Sequence, residues 1–155
     1  MNKAIIYIYS AFFLLINSCS VEKPTITMVH YFPNGSWNAF KEIELSTSIN
    51  DTDLPYQIVL EVELTDDFEP KEFSIGLTQS NDDGESRYSY HSFAVRDTKL
   101  DMINKKEGEY YTYKLIINNK TFFNSIGKYT WSLESVMGKV NVKGIHQLSI
   151  ELIQQ

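Results

Sequence analysis

The 155 residues carry 14 Lys and Arg against 20 Asp and Glu, a net charge of −6, one cysteine, and 43% hydrophobic with 14% aromatic side chains. That length suits one domain and that apolar content suits a packed core, which excludes wholesale disorder. The acidic balance lacks the basic patch with which nucleic-acid binders displace counterions, and one cysteine builds neither an internal disulfide nor a multi-cysteine zinc site.

At the N-terminus Lys3 precedes an apolar stretch from Ala4 to Ile16, followed by Asn17, Ser18 and Cys19. A cation, a short apolar run and small residues before a cut are the marks of an export signal. The run falls short of the ~20 residues that span a bilayer. Ile16-Asn17-Ser18-Cys19 resembles the lipobox of bacterial lipoproteins, although Asn17 stands where a small uncharged residue is usual. The resemblance implies a signal peptide over residues 1–18 and a diacylated Cys19, held in the membrane by more than one acyl chain. Ser20 in place of an aspartate leans towards the outer membrane. The alternative is an ordinary secretory signal in which Cys19 is incidental. On the first reading residues 19–24 form a lipidated tether and 25–155 a single domain.

Beyond the tether the dominant pattern has a period of two. In Tyr56–Thr65, Tyr56, Ile58, Leu60, Val62 and Leu64 share one face while Gln57, Glu61 and Glu63 share the other. A half-buried strand requires that alternation, because successive side chains leave opposite sides of the pleat. Further strands are predicted over Thr25–Phe32, Glu42–Ile49, Glu72–Gln79, Tyr88–Arg96, Glu109–Asn118, Lys128–Val136 and Ile145–Ile153. Turn chemistry separates them at Pro33-Asn34-Gly35, Asn50–Pro55, Asp66–Pro70, Asn81–Gly84, Asn118-Asn119 and Gly138–Gly144. Lys99–Lys106, with Leu100, Met102 and Ile103, is the one segment suited to a short helical turn. About eight strands without βαβ alternation predict an all-β, antiparallel β-sandwich of immunoglobulin-like or jelly-roll type.

Catalytic and metal chemistry is not evident. His30, His91 and His146 fall in separate predicted strands, and no H-E-x-x-H or G-x-S-x-G is present. Gln79–Glu85 fails as an EF-hand loop, because Gln79 and Tyr90 stand where Asp and Glu ligands belong; Asp82-Asp83-Gly84 reads instead as a hairpin turn. Glu61 and Glu63 read as solubilising charges on an exposed strand face. No cofactor and no metal are expected. Aromatic residues are the richest feature. Tyr88, Tyr90, Tyr110 or Trp37 could serve as a stacking platform for a sugar or a partner, against the plainer reading that strand aromatics fill the core.

The stretch Phe123–Ile150 adds a cadence: Phe123, then Gly127-Lys128-Tyr129, an alternating strand to Met137, and Gly144-Ile145 opening a last apolar strand. With Trp37 and Tyr56-x-Ile58-x-Leu60 upstream, this resembles the gliding-motility lipoprotein H family of Bacteroidota. Thr65-Asp66-Asp67 stands where the family usually has an R-N-like pair, and Tyr88 where it tends to have a tryptophan. The resemblance implies a lipid-anchored, non-enzymatic envelope component, an accessory or scaffold of gliding or associated secretion machinery. Its partners would be the membrane, through the lipid, and other envelope proteins. The alternative is a cell-surface glycan- or ligand-binding module.

Overall fold

The computed structural model describes residues 24–155, so the lipobox-like segment and Cys19 lie outside the described residues. Eleven strands follow in order: β1 (Thr25–Tyr31), β2 (Ser36–Asn38), β3 (Ile43–Ile49), β4 (Tyr56–Leu64), β5 (Glu72–Asn81), β6 (Ser86–Ala94), β7 (Lys106–Glu107), β8 (Tyr110–Thr121), β9 (Gly127–Ser135), β10 (Asn141–Lys143) and β11 (Ile145–Gln154). All the predicted long strands are present. The described residues contain no helix.

Two sheets form the sandwich, ordered β1-β11-β4-β8-β7 and β3-β9-β5-β6, and a small ribbon joins β10 to β2. Every pairing is antiparallel. Among the eight long strands the first pairs the last, the second the seventh, the third the sixth and the fourth the fifth. That is one long folded-over ribbon wrapped into two layers, which decides for the jelly roll over the immunoglobulin-like alternative.

The period-two reading carries through to the core. Tyr56, Ile58, Leu60, Val62 and Leu64 are all buried, and so are Phe73, Ile75 and Leu77 from the facing sheet. Trp131, Leu133, Leu148, Ile150 and Leu152 complete the middle of the sandwich. Removing such side chains from water is the main stabilising contribution, at about 25 cal/mol per Å². On β8 the row Tyr111, Tyr113, Leu115 and Ile117 faces the other sheet, but only Tyr113 is buried and the rest are half-buried, because a cleft opens between the sheets there.

Three elements differ from expectation. The short strands β2, β7 and β10 were not predicted; each is too short to show a period. Lys99–Lys106 forms no helical turn. Instead Arg96 bridges to Met102 and donates from Nη1 to the Leu100 carbonyl at 2.6 Å, while the Asp97 carboxylate accepts from the Lys99 and Asp101 amides. These side-chain bonds draw the segment into a closed loop, with Leu100 at a φ of 71°.

The third difference concerns Glu61 and Glu63, which are not free charges on an exposed face. The Glu61 side chain is only 14% exposed and binds Lys114 of β8 at 2.6 Å, with Glu151 of β11 at 3.7 Å from the same ammonium. Glu63 lies 3.8 Å from His146, an ion pair only while the imidazole is protonated. Cross-strand register brings these partners together, since Glu61 is opposite both Lys114 and Ser149.

Candidate functional site

β6 is the outer strand of its sheet, and alternation sends Tyr88 and Tyr90 to the solvent side, opposite Thr78 and Gly76. They are 57% and 58% exposed, two rings in a row on one flat face. Gly76 explains how Tyr88 lies there. A Cβ at that position would collide with the Glu134 side chain and the Tyr88 hydroxyl, so the absence of a side chain lets the phenol reach across the sheet. Partial desolvation, and then the hydrogen bond donated to Glu134, raise the Tyr88 pKa above its ordinary value of 10.0. Hydroxyls and carboxylates fill the rest of the face: Ser132 donates to Glu42 at 2.7 Å, and Ser92 to Glu72 at 3.1 Å.

Tyr110 belongs to a different surface, the outer side of the other sheet. Its ring is stacked on His146 with centroids 4.0 Å apart and planes 12° from parallel. Tyr31 meets the same imidazole edge-on at 6.0 Å. The result is a ring cluster beside Glu63, which sequence reasoning missed because its members come from β1, β8 and the start of β11. Of the candidate aromatics, Tyr88 and Tyr90 share a surface and Tyr110 lies on another.

Trp37 corrects the expectation outright. It is 2% exposed, packed against Phe32 and Phe73, and its Nε1 donates to the Lys41 carbonyl at 2.9 Å. Pairing of Trp37 with Val142 folds the β2–β10 ribbon over the sandwich end and seals the indole beneath it. A tryptophan so placed is a core residue whose indole donor is already satisfied, which leaves no exposed ring for stacking.

The histidines stay apart in function. His91 shares a 2.8 Å hydrogen bond with Ser89, His30 packs edge-on against Phe32, and His146 sits in the ring cluster. Burial lowers the pKa of His30 and of His91. Among the described residues no group of three or more His, Cys, Asp and Glu side chains is placed to hold a metal ion. Asp82-Asp83-Gly84 forms the hairpin turn between β5 and β6, closed by the Gly84 amide on the Asn81 carbonyl. Its acids are tied to the neighbouring loop, with Ser125 donating to Asp83 at 2.7 Å and Asn124 to Glu85 at 3.3 Å.

Fold and surfaces together define an antiparallel jelly-roll domain with aromatic and acidic outer faces. A comparison with curated proteins found no match. The sequence model of the GldH lipoprotein family matches residues 25–152, from the first residue of β1 into β11, and the chain belongs to that family.

Proposed function

We propose that the chain is a lipid-anchored, non-enzymatic accessory or scaffold component of envelope machinery of the gliding-motility or associated secretion type. The family match over residues 25–152 carries this reading, and Ile16-Asn17-Ser18-Cys19 supplies the attachment point. Ser20 favours the outer membrane. The described carboxylates and lysines support a structural part, since Glu61, Glu151, Asp66 and Glu69 are engaged by Lys114, Lys106 and Lys139. Membrane fractionation tests the anchor: wild type sediments with membranes and Cys19→Ala is released, whereas retention of both forms sinks it. Affinity purification after crosslinking in cells tests the scaffold, which requires other envelope proteins to be recovered with the bait; recovery of the bait alone removes it.

A second reading rests on the exposed Tyr88–Tyr90 pair, which suits stacking against a sugar ring or a partner. A glycan array separates the two. Binding that disappears in Tyr88→Ala/Tyr90→Ala favours the module, and signals at background count against it.

A further inference from the structure

The inward side of a sandwich strand should be apolar, and β6 breaks that rule. Its register sets Phe93, His91, Ser89 and Arg87 opposite Phe73, Ile75, Leu77 and Gln79, the inward row of β5. Of the four β6 residues only Phe93 is apolar. Polar side chains at core positions are faults of a fold unless they serve a function. Here they border an open space. A cleft of about 290 Å³ lies between the sheets along β6 and the end of β8. That is close to the lower limit, about 300 Å³, of clefts that take small molecules.

The cleft has two kinds of wall. Ile58, Leu77 and Ile117 give an apolar side, and Ser89 with His91 gives a hydrogen-bonded polar side. Burial lowers the pKa of that imidazole and so disfavours its charged form. Two lining groups are incomplete: the Trp131 indole N–H and the Thr121 hydroxyl are buried, and neither has a hydrogen-bond partner. An indole N–H only donates, so what completes it must bring an acceptor. Arg87 is incomplete in another sense. It lines the cleft and makes no ion pair among the described residues, whereas the one lining carboxylate, Glu85, is held by Asn81 and Asn124.

Arg87, Gln79 and Trp131 stand in one cross-strand row, so the guanidinium strand and the indole strand are two strand spacings, about 10 Å, apart. We propose that the cleft binds a small organic carboxylate along this row. Its carboxylate pairs with Arg87, its apolar body lies against Ile58, Leu77 and Ile117, and a second acceptor oxygen points towards the Trp131 N–H. Arg is suited to this task because its planar fork matches a carboxylate's two oxygens.

The two tryptophans make the test direct, because Trp131 lines this cleft with a free indole donor while Trp37 lies away from it with its donor held by the Lys41 carbonyl. In the full-length protein, held in detergent micelles and labelled with ¹⁵N at tryptophan, each indole N–H gives its own signal, assigned by Trp131→Phe. Titration with 4-hydroxyphenylacetate should move the Trp131 signal saturably in the millimolar range and leave that of Trp37 in place. The matching amide, 4-hydroxyphenylacetamide, should bind at least tenfold more weakly. Arg87→Gln, an exposed substitution that spares the core, should weaken the acid to the level of the amide. A Trp131 signal unmoved up to the solubility limit overturns the site. Equal responses to acid and amide, or an unchanged response in Arg87→Gln, overturn the carboxylate.

Discussion

The phenol of Tyr88 reaches the carboxylate of Glu134 across the bare backbone of Gly76, linking the outer strand of one sheet to the strand two places inward. The bond to an anionic acceptor, added to partial desolvation, makes the phenol harder to ionise. Glu134→Gln should lower the Tyr88 pKa towards 10.0, read as the ultraviolet phenolate titration of wild type against Tyr88→Phe and the Glu134 variant. An unaltered titration would show that the contact does not persist in solution.

Gly76 and Gly144 are both crowded, but by different things, and their alanine variants should behave differently. At Gly76 a Cβ meets only side-chain atoms, of Glu134 and Tyr88, and both side chains can swing aside. Stability should fall by about 1 kcal/mol, the low end for overpacking, while the Tyr88–Glu134 contact is lost. At Gly144 the Cβ meets the Asp67 and Phe68 backbone at a φ of 79°, and neither can move cheaply. Gly144→Ala should cost more than about 2 kcal/mol, measured as a lowered urea midpoint at constant slope.

Burial depresses the pKa of His30 and His91 below 6.5. The unfolded chain therefore binds more protons than the native one in the window beneath that value. Their contribution to stability is complete above pH 6.5 and is lost as pH falls through their folded values. Urea midpoints taken from pH about 8 down to about 5 should decline, and the His30→Asn/His91→Asn variant should decline less steeply.

Trp37→Ala should cost about 3–5 kcal/mol by leaving a core cavity, and Trp37→Phe about 1 kcal/mol beyond its lost volume for the hydrogen bond to Lys41. Neither should alter any ligand response of the Tyr88–Tyr90 face. Calorimetry and the glycan array together check this, and a binding loss in a stably folded Trp37→Phe would contradict the core assignment.

Lys114→Met leaves Glu61 and Glu151 facing each other on the sheet without their shared cation. The expected loss is about 1 kcal/mol, largely restored by adding Glu61→Gln, which a double-mutant cycle resolves.

The long strands were legible because Tyr56–Leu64 and its counterparts alternate without interruption, and alternation is local. The jelly-roll order was not, since nothing near Thr25 reveals that it will pair with Ile153. The same holds for Ser36–Asn38, too short for a period and defined only by its pairing with Asn141–Lys143. Tyr88 and Tyr90 could be read as sharing a face, but which face looks outward was hidden. The opposite row offers only Phe93 as an apolar marker, and Arg87, Ser89 and His91 line the cleft instead. Trp37 was misjudged because an aromatic in a turn-rich stretch reads alike whether it is covered or bare.

Pairing the first strand with the last has a geometric result at the chain ends. The Gln154 amide bonds the Pro24 carbonyl, so the start of β1 and the end of β11 lie at one pole of the sandwich, shared with the Asn50–Pro55, Asp82–Gly84 and Phe122–Ile126 connections. The residues from Cys19 to Thr25 reach at most about 20 Å when fully extended. A lipid on Cys19 would therefore hold that pole beside the bilayer, with Asp51, Asp53, Asp82 and Asp83 repelled by anionic headgroups. The opposite pole, with the Lys99–Glu107 and Gly138–Gly144 loops, is then the end such an attachment leaves free of the bilayer.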